Sequence, residues 1–236
     1  MSRSARSAQA VVRPEVLVVV DGSLYQRTGK EVSTTRKYII SFFSKVDNHF
    51  KSLSNPRISL HLSDIVILET PASPPYLNSS ILPPRKNGST IPSLQATKAL
   101  DLMGKHYYNS SNADLVITLL YLDLCRGTFC DIVGKTYTGG ACIKDKRLKK
   151  SKSVAIVEDN GYFSGVKVAV HELAHLLGAV HDGYYGAAEC SKEGFIMSER
   201  KIGAMWSQCS RRRIRDFVTS RDGRCMYNSP GNSVTI

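Results

Sequence analysis

The chain reads as an α/β sandwich with a mixed, mostly parallel sheet, a long helix laid against it, and a smaller irregular C-terminal subdomain. Three features of the sequence predict this. Short β-branched runs alternate with stretches of helical periodicity through the first half, the signature of strands joined by helical crossovers. Residues 115–122, Leu-Val-Ile-Thr-Leu-Leu-Tyr-Leu, are apolar almost throughout, as a strand buried on both faces requires. Beyond Gly178 regular periodicity stops and glycine, cysteine and serine punctuate the chain.

In chain order, residues 16–20 form a valine-rich strand closed at Asp21-Gly22. Residues 34–50 place Ile39, Phe42, Phe43, Val46 and Phe50 on one face of a helix. Residues 58–68, rich in Ile, Leu and Val, are a second strand. Residues 71–92 hold six prolines and predict a loop. Helical spacing returns over 94–107, before the buried strand. Two short extended segments follow, 132–137 and 154–158, and then a helix. Ser210 is the expected N-cap of a last helix reaching about Thr219. No internal repeat is apparent.

At 236 residues the chain suits one large-cored domain: residues 13–229, split into an upper part 13–180 and a lower part 181–229, between an N-terminal segment 1–12 and a tail 230–236. No apolar run approaches the length of a transmembrane helix, and the first residues hold no hydrophobic signal core. Arg3-Ser-Ala-Arg6 matches the R-x-x-R pattern cut by proprotein convertases, so the N-terminus reads either as the end of a removed prosegment or as a cloning remnant. Six cysteines and three N-x-S/T acceptors, Asn78, Asn87 and Asn109, point to an oxidising, extracellular setting. The formal charge is +12, with basic runs at 144–152 and 211–215. Such runs read either as solvated faces or as an exosite for heparan sulfate or anionic surfaces. No nucleic-acid-binding motif accompanies the charge, and a monomer is expected.

The chemistry is concentrated at His171-Glu-Leu-Ala-His-Leu-Leu-Gly-Ala-Val-His-Asp182. On a helix His171 and His175 project one turn apart from one face, so both imidazoles reach one ion. Gly178 permits a sharp backbone turn that brings His181 round as a third ligand. Three protein ligands leave a zinc ion one open position, the mark of a catalytic rather than a structural site. Glu172 is then the general base. An accidental match of five fixed residues is expected on the order of once in 10⁵ chains of this length.

This motif is similar to that of the metzincin zinc metalloproteases, and Asp182 after the third histidine resembles the adamalysin or reprolysin branch. Met197 in Gly-Phe-Ile-Met-Ser matches that branch's methionine turn, an apolar floor beneath the metal. The similarity spans residues 13–228 and looks strongest to ADAMTS-like and tick salivary metalloproteases. Phe195 departs from the many venom enzymes that carry cysteine there. The resemblance implies the metzincin fold, with an edge strand around Ile132-Val133-Gly134-Lys135 that pairs antiparallel with an extended substrate. It also implies a buried structural role for Asp182.

Six cysteines allow 15 connectivities. The resemblance selects Cys125–Cys130, Cys142–Cys225 and Cys190–Cys209. A further bridge common in ADAMTS domains has neither partner here, near His106 or Leu148. It implies a structural calcium site as well, from Glu15, Asp114, the Cys225 carbonyl and Asn228, all oxygen donors suited to a hard cation. His49, His61 and His106 lack ligand spacing and are expected at the surface. The function so implied is a secreted zinc endopeptidase acting on extracellular proteins of matrix or haemostasis. The alternative is a binding or inhibitory protein on the same scaffold, acting through its basic surface.

Overall fold

The computed structural model describes residues 11–69, 74–84, 91–199 and 201–227. Asn87, Asn228, Arg3 to Arg6 and the tail lie outside them. The central sheet has five strands: β1 (Glu15–Val20), β2 (His61–Ile67), β3 (Leu115–Leu120), β4 (Gly134–Thr136) and β5 (Val154–Glu158). Their order is β2-β1-β3-β5-β4, parallel except at the edge, where β4 runs antiparallel to β5. Four main helices accompany it: α1 (Val32–Lys51), α2 (Ala96–His106), α3 (Val166–Leu176) and α4 (Gln208–Val218).

The sheet separates two apolar clusters, because alternate residues of each strand point to opposite faces. Val16, Val18 and Val20 join Ile39, Phe42, Phe43, Val46 and Phe50 of α1 and the inner face of α3. Val19, Val116 and Ile156 turn the other way, onto Leu100 and Met103 of α2. β3 is buried at all six positions, as helices on both faces demand.

Four expectations shift. Val11–Val12, assigned to the N-terminal segment, pair in parallel with Arg57–Ile58, so residues 58–68 are two strands rather than one. The proline-rich stretch contains a short helix, Pro75–Asn78, which seats Tyr76 and Leu77 in the second cluster. The last helix is capped by Ser207, whose hydroxyl accepts from the Ser210 N–H, because Ser210 is buried in the first turn and points toward Asp182. His49 and His61 are half-buried rather than superficial. The sulfurs are joined as Cys125–Cys130, Cys142–Cys225 and Cys190–Cys209. Asn78 and Asn109 are exposed. No helix among the described residues is long and apolar enough to cross a membrane.

Candidate metal centre

Helix α3 carries the site, and groups remote in sequence hold both its ends. Its N-cap, Gly165, offers no side chain, but the Gly165 N–H donates to Asp159 Oδ1 at 2.8 Å. Tyr38 of α1 donates its hydroxyl to the other Asp159 oxygen at 2.5 Å. At the C-terminus the Gly178 N–H donates to the His175 carbonyl (2.9 Å) and the Ala179 N–H to the Ala174 carbonyl (3.0 Å), the paired bonds of a Schellman turn. Gly178 sits at φ +88°, and a Cβ there would stand 2.7 Å from the Phe217 Cβ of α4. Only glycine meets both conditions.

The turn also orients a ligand. It carries the Ala179 carbonyl back over the helix, where it accepts from His175 Nδ1 at 2.8 Å. His171 Nδ1 donates likewise to the Ile196 carbonyl at 2.7 Å. With protons on Nδ1, both Nε2 atoms present bare lone pairs. The Nε2 atoms of His171, His175 and His181 lie 3.1 Å from one another. Between His171 and His175 this contact is not a hydrogen bond, since neither Nε2 carries a proton. They are converging acceptors that repel unless a cation sits among them. Nitrogens about 2.05 Å from a tetrahedral zinc lie roughly 3.3 Å apart, so the triad fits that ion. Burial holds His171 down to about 4 and also lowers His175 and His181, so all three rings are neutral, the ligand form, at neutral pH.

Glu172 is 7% exposed, and burial pushes its carboxyl up to about 8 against the pull of Lys135. A cation at the neighbouring imidazoles favours the ionised form. The carboxylate lies against β4. A Cβ on Gly134 would be 2.6 Å from Glu172 Oε1 and 2.8 Å from Val168 Cγ1. Gly134 is therefore a site residue that motif reading did not single out, although glycine within a strand signals close approach.

Asp182 is fully buried, accepts from the Ser207 hydroxyl at 2.6 Å, and donates its N–H to the Met197 carbonyl at 3.0 Å. Burial raises its carboxyl, opposed by Ser207 and Ser210. Met197 is fully buried, one residue past the Ile196 carbonyl that holds His171.

With this geometry in place, the comparisons with known proteins decide the family. Residues 13–217 match the reprolysin model of metallo-peptidase family M12. This chain belongs to that family. M12 peptidases use zinc, which agrees with the triad. The M12 chain is 36% identical over 97% of its length to "A disintegrin and metalloproteinase with thrombospondin motifs like" of Bombyx mori, covering 35% of that protein. It is 26% identical over 92% of its length to venom metalloproteinase 3 of Eulophus pennicornis, covering 52% of it. It thus spans a third to a half of these curated relatives. The crystal structure of metalloproteinase-II from Bacteroides fragilis superposes with a TM-score of 0.53 at 15% identity, over 92% of this chain and 56% of the other, a likeness of fold.

The second cluster lies at the sheet's far end. The Glu15 N–H donates to Asp114 Oδ2 at 3.0 Å, and the Arg13 N–H to the Met226 carbonyl at 2.9 Å, so the first and last described segments are joined there. Asp114 Oδ1 is 3.4 Å from Cys142 Sγ, a contact and not a hydrogen bond because that sulfur is in a disulfide. Burial pushes the Asp114 carboxyl up to about 6, the Glu15 N–H opposes this, and the Glu15 carboxylate adds to it. Asn228 lies outside the described residues.

Proposed function

We propose that this domain is the catalytic unit of a secreted zinc endopeptidase that hydrolyses peptide bonds of extracellular proteins. The observation that carries the reading is the set of three imidazole Nε2 atoms mutually 3.1 Å apart, with the Glu172 carboxylate one residue along the same helix. Zinc held by His171, His175 and His181 supplies a Lewis acid that polarises a scissile carbonyl and acidifies a water. Glu172 takes the proton from the attacking water and returns it to the leaving amine, a role suited to a buried carboxylate of raised basicity. Met197 forms the apolar floor under the imidazoles, and Asp182 with Ser207 holds the loop that follows His181. Strand β4, which among the described residues pairs with β5 alone, offers its other edge to an extended substrate backbone.

The far cluster is read as a calcium site. Two carboxylates, Glu15 and Asp114, repel across a short distance, and an oxygen-preferring cation shared with the Cys225 carbonyl and Asn228 would offset that repulsion. Three disulfides among the described residues support secretion.

Cleavage of casein or fibrinogen by the wild type, abolished in Glu172→Ala with zinc content retained, tests the reading. Absence of cleavage by zinc-loaded wild type would return the domain to a binding role on its basic surface.

A further inference from the structure

The two basic runs differ in a way that residue order does not reveal. The first, residues 144–152, is a hairpin in which Lys144–Asp145 pairs antiparallel with Lys150–Ser151. Lys150 is committed to Asp101 (2.8 Å) and Lys144 to the Ser111 carbonyl (2.9 Å), while Lys146, Arg147 and Lys149 are exposed on the turn between the two strands.

The second run lies on α4 and lines a groove. Arg211 and Arg215, four apart, share one side of the helix, and Arg212, three before Arg215, completes the lining. Opposite them runs the segment 53–58 that links α1 to the sheet. The cavity between is about 230 Å³. Leu53, Ile58 and Ile214 close it from beneath, almost fully buried, and Ser54, Asn55 and Gln208 add polar groups to its lining. Among the described residues Glu189 pairs with Arg212 and Asp216 with Arg215, and each carboxylate is 57% exposed. Arg211 spends one donor on the Ser52 carbonyl, which fixes it across the groove.

We propose that the groove between α4 and residues 53–58 is a docking site for a sulfated polysaccharide. Guanidinium forks bind tetrahedral oxyanions in a bidentate way that ammonium groups do not match. Polar groups of Ser54, Asn55 and Gln208 in the lining suit the hydroxyls of a sugar ring. The cavity is below the roughly 300–1,000 Å³ of drug-sized pockets, room for about one ring unit with its neighbours running out at both ends. An α-helix, about 10–12 Å across, does not enter it. A flat lipid surface leaves its concavity unfilled. The site stands apart from the metal centre, so it holds whether or not the domain cleaves peptides.

The experiment measures binding of size-defined heparin oligosaccharides to the intact domain at about 0.15 M salt, where distant charges are screened. Arg211→Ala with Arg215→Ala should weaken binding about 10- to 30-fold, and Lys146→Ala with Arg147→Ala less than about 3-fold. Arg211→Lys with Arg215→Lys keeps the charge and should fall between, which separates fork geometry from net charge. Melting curves establish that each variant is folded. Equal losses from the groove and hairpin pairs overturn the proposal, as does undiminished binding of chemically desulfated oligosaccharide. Equally tight binding of a polyglutamate peptide overturns it in favour of an acidic protein partner. Failure of the wild type to bind heparin overturns it outright.

Discussion

Gly134 of the edge strand and Glu172 of α3 are packed so closely that a methyl group on residue 134 would stand 2.6 Å from Glu172 Oε1. The edge strand and the proposed base thus share a contact that only glycine permits. Gly134→Ala must displace the carboxylate, because Val168 Cγ1 at 2.8 Å closes the other direction. A displacement near 1 Å costs up to about 10²-fold in rate. We expect kcat to fall about 10- to 100-fold with zinc content unchanged. An unaltered kcat would mean that the carboxylate shifts without consequence.

Metal removal should separate the roles of the triad and the base. Purified domain should carry about one zinc per chain, lost to strong chelators together with activity and recovered on zinc addition. His175→Ala should bind zinc poorly, since it removes both an Nε2 and the ring anchored to the Ala179 carbonyl. Peptidase activity persisting in metal-free protein would refute the mechanism.

Gly178 meets two independent constraints, a φ of +88° and the Phe217 Cβ at 2.7 Å. Gly178→Ala should destabilise the domain by about 2–4 kcal/mol, through left-handed strain together with overpacking. Denaturant titration measures this. Phe217→Ala keeps the Cβ at 2.7 Å and should return only the smaller part of the loss due to the ring carbons at 3.1 and 3.3 Å, and a simply additive double mutant would show that the ring adds nothing to the clash.

The Asp114 carboxyl, pushed up to about 6, sets a pH dependence. Its folded pKa exceeds the unfolded value near 3.9, so the folded state binds the proton more tightly. Without calcium its contribution is fully present below about pH 4 and is lost as pH rises through 6. A bound cation favours the carboxylate and cancels that loss. Calcium should therefore raise Tm by several degrees at pH 7.5, about 2.7 kcal/mol at a hundredfold excess over Kd, and by little at pH 5. Asp114→Asn should remove both the increment and the pH slope while leaving zinc in place. A Tm indifferent to calcium at pH 7.5 with zinc saturating would show that Glu15 and Asp114 share no ion.

Residue order by itself determined the helices and strands whose burial is periodic, such as α1 with its Ile39-Phe42-Phe43-Val46-Phe50 face, and the three histidines with Glu172. These are short-range matters: helical offsets and a glycine turn lie within a dozen residues, where local geometry dictates what meets what. The tertiary structure decided what depends on contacts across the chain. Ser207 rather than Ser210 caps α4, because Ser210 is drawn inward beside Asp182. Asp159, 121 residues from Tyr38, fixes the start of α3. Gly134 earned its place only once β4 lay over α3. Two basic runs, their positive charges mostly lysine in one and all arginine in the other, became a solvated hairpin and an arginine-lined groove, since concavity arises where two distant segments pack and no local pattern encodes it.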